Sequence, residues 1–481
     1  MQENIIQKTK FGMLWNAIEK FGVQGISFVL NIILVRLLSP NDIGILALLV
    51  AFSSLANIFI EGGFVRALIQ KKDCTEQDFS TTFIFNVAIG LFFYIVLFFA
   101  APVISEFYKI PELTTIQRVL FLGIILNALC VVQIARFQMV VNFKALALIN
   151  LVAVMISGIL GIILAYNGFG VWSLIWQELT KNFLIFVLYW YFGGWIPKTW
   201  FSKNSFHRLF SYGSKLVGVG LIAVVVNAIY NTTIGKIYNT KDLGYYSQGE
   251  ALPRGVFGAL SSVVITTTFP LMSSLQDNKE ELMKIFKRLV KIISLMTFPV
   301  MVGLAVVSKE FILILLTQKW LMAAEVLFWF SLSYLFTPIS GLNLNILNAI
   351  GRSDLFLKIE FAKLPIIFIT MAITFPIGLK AIVIGKFMSS FLSFFVNSYI
   401  CHKKYDFGGL KQLWHIRKII ISTIIMACLM SVVKIYIDDI MLRLICAVVV
   451  GFFSYILVLK ILKEEELEFV IIKFKNKFQR K

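Results

Sequence analysis

The chain has 481 residues, 59% of them hydrophobic and 46 of them Phe, with a mean hydropathy of +0.85, a composition that excludes an ordinary soluble globular domain. A net charge of +19 suits nucleic acid or an anionic lipid surface, and no nucleic-acid-binding motif accompanies it. Five cysteines and three histidines are scattered along the chain, which points away from a disulfide framework, a metal site or a Ser-His-Asp set.

About 20 mostly apolar residues cross the ~30 Å hydrocarbon core of a bilayer as a helix, and only a backbone that satisfies its own hydrogen bonds can sit there. In chain order the apolar stretches predict about fourteen transmembrane helices, near 13–38, 41–60, 79–101, 115–137, 146–166, 169–192, 212–236, 243–271, 286–307, 323–350, 355–377, 379–401, 418–437 and 440–460. The polar segment from Met1 to Lys10 enters a span holding Glu19 and Lys20 and carries no small-residue cleavage site, so it reads as an uncleaved first helix. With the N-terminus in the cytoplasm, most of the 45 Lys and Arg fall on cytoplasmic loops and tails: Lys71 and Lys72, the runs Lys279 to Lys291 and Lys403 to Lys418, and the tail from Lys460. The positive-inside rule favours that orientation, with both termini cytoplasmic and the basic loops facing anionic lipids. The stretch Arg136 to Lys144 is expected along the inner surface, and Tyr189, Trp190, Tyr191, Trp195 and Trp200 are expected as an interfacial belt.

Shifting the chain by 200 residues aligns Asn31 with Asn231, Arg36 with Lys236, Asp42 with Asp242, Ile43 with Leu243, Gly44 with Gly244 and Ala51 with Ala251. In each copy a long span ends in a cation and Asp-Ile/Leu-Gly opens the next helix, with the Asp as N-cap or first-turn acid. The reading is a duplication: an N-lobe over 1–192, a cytoplasmic linker over 193–211 and a C-lobe over 212–401. A cytoplasmic loop over 402–417 follows, then a helix pair and basic tail over 418–481. Six spans per copy is an even number, so the copies are parallel, and in transporters built this way the substrate site commonly lies between them.

Four segments carry a family resemblance. Arg36-Leu37-Leu38-Ser39-Pro40-Asn41-Asp42-Ile43-Gly44 resembles the first turn of polysaccharide-type flippases. Phe143-Lys144-Ala145-Leu146-Ala147-Leu148-Ile149 and Gly168-Phe169-Gly170-Val171-Trp172-Ser173-Leu174 are similar to the fifth and sixth helices of the teichuronic acid, colanic acid and O-antigen exporter group. Leu243-Gly244-Tyr245-Tyr246-Ser247, with Phe269-Pro270-Leu271 downstream, matches the eighth helix. The resemblance implies a transporter of the multidrug, oligosaccharidyl-lipid and polysaccharide exporter superfamily, with two six-helix lobes in a V around a cavity that opens alternately to each side. It implies as cargo an undecaprenyl-pyrophosphate-linked oligosaccharide for O-antigen, capsule or exopolysaccharide assembly, a bacterial cytoplasmic membrane, and a polysaccharide polymerase or co-polymerase as partner. Many relatives carry a basic residue where this chain has Gln248, which shifts attention to Arg254.

A charge at mid-bilayer costs on the order of 2.5 to 3.5 kcal/mol on insertion scales, so it faces a cavity or a partner. The candidates for contact with a diphosphate headgroup are Arg254, Lys386, Lys20, Lys181 and Lys363, with Glu250 beside them; Glu325, Glu360 and Glu178 are candidates for binding H+ or Na+. Glu178 with Lys181 and Glu360 with Lys363 stand i,i+3, and Glu250 with Arg254 stands i,i+4, so pairing within a helix competes with a cavity role. Arg254 has the stronger claim to a cavity, because Gly249, Pro253, Gly255 and Gly258 loosen its helix, whereas Lys386 has no acid at helical spacing. Asn residues inside spans are expected chiefly to bridge helices.

A lipid-linked oligosaccharide flippase is therefore the leading reading. An ion-coupled drug or small-molecule antiporter on the same scaffold comes second, and would want an acidic cavity in place of a basic one. A membrane glycosyltransferase or polymerase comes third and lacks the large outer loop such enzymes use. With no nucleotide-binding loop and no cofactor motif, energy must come from an ion gradient, the membrane potential or consumption of product.

Overall fold

The computed structural model describes residues 22–467 apart from 62, 63, 71, 72, 141, 276, 277, 350 and 351, so Glu19 and Lys20 lie outside the described residues. Every regular element among the described residues is a helix: α1 (described over Gly22–Leu37), α2 (Pro40–Glu61), α3 (Phe64–Gln70), α4 (Glu76–Tyr108), α5 (Leu113–Leu120), α6 (Leu122–Met139), α7 (Phe143–Tyr166), α8 (Val171–Gly193), α9 (Lys203–Ile237) and α10 (Thr240–Ser274). There follow α11 (Lys279–Val306), α12 (Ser308–Leu316), α13 (Leu321–Ser333), α14 (Thr337–Ala349), α15 (Ser353–Thr374), α16 (Leu379–Tyr405), α17 (Gly409–His415), α18 (Arg417–Tyr436) and α19 (Ile440–Ile461). Ten helical segments among the described residues are long and apolar enough to cross a bilayer, each at an expected span. Helices α8 and α15 also occupy expected positions but fall outside that apolar set, since one carries Gln177, Glu178, Lys181 and Asn182 and the other Lys358, Glu360 and Lys363. By its internal contacts the chain divides into two compact units, up to Gly244 and from Tyr245 onward.

In the first unit α9 packs on α2, α3 and α4, while α7 and α8 form a hairpin. That hairpin turns on Gly168 (φ +81°) and Gly170 (φ +53°), positions where a side chain would be strained, which accounts for the Gly-Phe-Gly segment there. The two aligned acids open their helices in the same way. Asp42 Oδ2 accepts from Ser39 N at 2.9 Å and from Ser39 Oγ at 2.6 Å, while Asn239 Oδ1 accepts from Asp242 N at 2.7 Å and Asn239 Nδ2 donates to Asp242 Oδ2 at 3.0 Å. The two turns also pack reciprocally: a Cβ on Gly44 would strike the Thr240 carbonyl, and one on Gly244 the Pro40 carbonyl. Thr240 Oγ1 hydrogen-bonds Asn41 Oδ1 across the same contact. A Thr75–Asp78 capping box starts α4, and the buried Asp78 carboxylate also receives Arg208 Nη2 from α9 at 2.7 Å.

In the second unit α11, α14, α16, α18 and α19 enclose a continuous apolar core that includes Phe286, Ile339, Phe394 and Met426. The α18–α19 hairpin is pinned at one end by buried Glu310, which takes Lys434 at 3.0 Å and Arg443 at 3.7 Å. Lys291–Glu464 at 3.0 Å and Arg288–Glu466 at 3.1 Å pin the other end.

The structure corrects several expectations. Two of the expected spans are present but carry an interruption: 115–137 at Phe121, and 323–350 at 334–336. Pro338 explains the second break, since it offers no N–H and its ring crowds the carbonyl four residues earlier, that of Tyr334. Ser390 Oγ donates to the freed Ser333 carbonyl at 2.7 Å, the kind of side-chain rescue that interrupted helices need at membrane depth. The stretch 136–144 forms no helix of its own: Arg136 to Met139 end α6 and Phe143 and Lys144 begin α7, with the Arg136 guanidinium 5.7 Å from the ring centroids of Phe79 and Trp195. The aromatic cluster is half core: Tyr189 and Trp195 are buried, with Trp195 Nε1 donating to Glu76 Oε1 at 2.7 Å, while Tyr191 and Trp200 are exposed.

Candidate functional site

Two polar clusters stand out, one in each unit. In the second unit α10 carries Glu250 and Arg254 one turn apart, with Arg254 Nη2 2.7 Å from Glu250 Oε2. Pro253 interrupts the hydrogen bonding of α10 at this level because it cannot donate to the Gly249 carbonyl. Gly249 lets the helix lie against α13: a Cβ there would come within 2.6 Å of the Val326 side chain and 2.9 Å of the Ala323 carbonyl. The break between α13 and α14 then delivers Tyr334, whose hydroxyl hydrogen-bonds both Arg254 and Glu250. A guanidinium only donates and a carboxylate only accepts, so the phenol receives from Arg254 and gives to Glu250. The Tyr334 ring is held by stacking on Phe257, centroids 4.9 Å apart. Lys386 of α16 completes the set, within electrostatic range of Glu250 and Arg254. With two basic side chains, one carboxylate and a phenol the cluster holds more bases than acids, and the Arg254 side chain is 59% exposed.

The first-unit cluster lines a cavity of about 380 Å³ among α2, α5, α6 and α8. Glu178 Oε2 and Lys181 Nζ pair at 2.6 Å, and Asn127 Nδ2 donates to Asn57 Oδ1 at 3.1 Å and to Glu61 Oε1 at 2.7 Å. Asn182, Ser53 and Ser54 also face it.

The remaining sequence-expected residues lie apart from these clusters. Glu360 and Lys363 pair at 2.6 Å on α15. Glu325 pairs at 2.6 Å with Lys380 in an open depression near the start of α13, with side chains 38% and 66% exposed, so it sits near a helix end and not at mid-depth. All three acids expected to take an ion, Glu178, Glu360 and Glu325, thus have a lysine partner. The structure unites Arg254, Glu250 and Lys386 and separately unites Glu178 with Lys181; Lys20 is outside the described residues. Sequence reasoning missed Tyr334, for which Pro338 four residues on was the available signal, and it missed Glu61 and Lys380, whose partners are far away in the chain.

Helices interrupted at membrane depth beside unbalanced charge define a membrane transporter scaffold. The chain belongs to the polysaccharide biosynthesis protein family, which matches residues 33–325. It is 25% identical over 362 residues to the teichuronic acid biosynthesis protein TuaB of Bacillus subtilis (strain 168), covering 73% of each chain. To the lipopolysaccharide biosynthesis protein WzxC of Escherichia coli (strain K12) it is 22% identical over 397 residues, covering 81% of each. Its fold is that of the lipid II flippase MurJ in an inward closed conformation, with TM-score 0.75 at 16% identity over 94% of this chain and 98% of that one. A multidrug MATE family transporter of the MOP superfamily, in its inward-facing conformation, superposes with TM-score 0.59 at 15% identity over 85% of this chain and 98% of that one.

Proposed function

We propose that this chain is a flippase of a bacterial cytoplasmic membrane that carries a finished lipid-linked oligosaccharide from the inner to the outer leaflet for surface polysaccharide assembly, changing no covalent bond. The observation that carries the reading is the cationic cluster at the interrupted α13–α14 helix: Arg254 and Lys386 outweigh Glu250, which suits a diphosphate and not an organic cation. Membership of the polysaccharide biosynthesis family and the names of its relatives support a glycan-bearing cargo. Arg254 is the primary headgroup contact, Tyr334 presents it, and Lys386 adds to the field. Lys363, Lys181 and Lys20 are secondary cations of the pathway. The cycle is driven by H+ or Na+ through Glu178, Glu325 or Glu360, both termini are cytoplasmic, and a polysaccharide polymerase or co-polymerase takes up the product.

The test is export of the polysaccharide by cells whose own copy is replaced. Arg254→Ala abolishes export at normal protein level, and Arg254→Lys restores part of it, since a point charge still meets phosphate without the bidentate fork. Normal export by the double variant Glu250→Gln, Arg254→Gln would mean that the pair only braces α10.

A further inference from the structure

We propose that the cavity of the first unit is a glycosyl-binding subsite, taking one sugar ring through Asn57, Glu61, Asn127 and Asn182. The proposal rests on the flippase reading and adds to it a place for the glycan.

The cavity lies at mid-depth: Asn182 stands at the midpoint of α8 (Val171–Gly193). Its volume of about 380 Å³ falls in the range of small-ligand pockets, ~300–1,000 Å³. The decisive feature is the hydrogen-bonding capacity left over once internal bonds are counted. Asn127 spends both N–H groups on Asn57 Oδ1 and Glu61 Oε1, so its own carbonyl stays open, as do the second oxygen of Glu61 and the amide N–H groups of Asn57. Ser53 and Ser54 donate to the Val50 carbonyl and keep their oxygens as acceptors. Among the described residues the Asn182 amide makes no hydrogen bond, and the absence of a side chain on Gly123 leaves it room, since a Cβ there would lie 2.8 Å from Asn182 Nδ2. The Glu178–Lys181 pair closes one wall and largely cancels its own charge. A metal cation asks for acceptors alone and a phosphate for donors alone. Donors and acceptors interleaved around a small chamber, whose one charge without a cation beside it among the described residues is the Glu61 carboxylate, match a ring of hydroxyl groups, each of which gives and receives.

Saturation-transfer NMR on the full chain in nanodiscs tests this with the methyl glycosides of glucose, galactose, N-acetylglucosamine and rhamnose as probes, and phosphorus line broadening of inorganic pyrophosphate as the parallel readout. At least one glycoside receives saturation. Asn182→Leu, which sacrifices no internal hydrogen bond among the described residues, cuts that signal to a tenth or less at equal amounts of monodisperse protein, and Gly123→Ala reduces it several-fold. Arg254→Ala leaves the glycoside signal in place and removes pyrophosphate broadening. No transfer to any of the four glycosides, or transfer indifferent to Asn182→Leu and Gly123→Ala, overturns the subsite whatever pyrophosphate does. Glycoside binding without pyrophosphate binding leaves the subsite standing and overturns the headgroup reading.

Discussion

Tyr334 owes its position to Pro338. Without the break the tyrosine would continue α13 in regular register; with it, the phenol bridges Arg254 and Glu250. Hydrogen bonds to charged groups contribute ~1.5–3 kcal/mol. Tyr334→Phe therefore lowers export about tenfold at equal protein level, since ~1.4 kcal/mol is one decade in rate. Unchanged export would show that the Arg254–Glu250 pair organises itself. A second residue-scale expectation concerns His415, at the end of α17 and outside the membrane spans. Burial, reinforced by repulsion from Lys291, holds its imidazole below the ordinary 6.5. Because the unfolded chain takes up that proton more readily, the contribution to stability is complete above about pH 6.5 and fades as pH falls. The unfolding midpoint in nanodiscs should drop on acidification from about pH 7 to pH 5, and less steeply for His415→Gln. An equal drop in both proteins would remove His415 from the account.

At the scale of elements, the strongest constraint is the reciprocal approach of Gly44 and Gly244 at the starts of α2 and α10. Overpacking usually costs ~1–3 kcal/mol, and here the obstacle is a backbone carbonyl that cannot rotate away. Gly244→Ala should lower the yield of folded protein and its unfolding midpoint. Gly341→Ala, on α14, meets no atom within 4 Å and should leave both unchanged. Equal behaviour of the two variants would contradict the close packing. These paired helix starts were legible in the sequence because Asp42 and Asp242 stand 200 residues apart in matching local patterns, and a local hydrogen bond carries the cap. The charge pairs at i,i+3 and i,i+4 were legible for the same reason. Partners brought by tertiary contact were not: Glu325 with Lys380, Glu310 with Lys434, and Asn127 with Glu61 are separated by whole helices, and hydropathy carries no record of them. The breaks at Phe121 and Tyr334 were missed because apolar composition runs straight through them, while α8 and α15, which fall outside the ten apolar segments, bear the Glu178–Lys181 and Glu360–Lys363 pairs.

For the whole molecule, the polar clusters of both units lie inside spans and would be costly to keep in a protein that merely occupied the membrane. On the proposed reading, a chain organised this way moves a charged headgroup and its glycan across the bilayer and leaves the bonds of both intact. The measurement that tests this most directly is the leaflet in which the lipid-linked oligosaccharide resides after the protein is depleted from cells. The account predicts accumulation of the intact intermediate, shielded from a membrane-impermeant glycan-oxidising reagent until the cells are opened. Accumulation of the same intermediate in a form the reagent reaches in sealed cells would contradict it, because the step lost would then be polymerisation or ligation on the outer face.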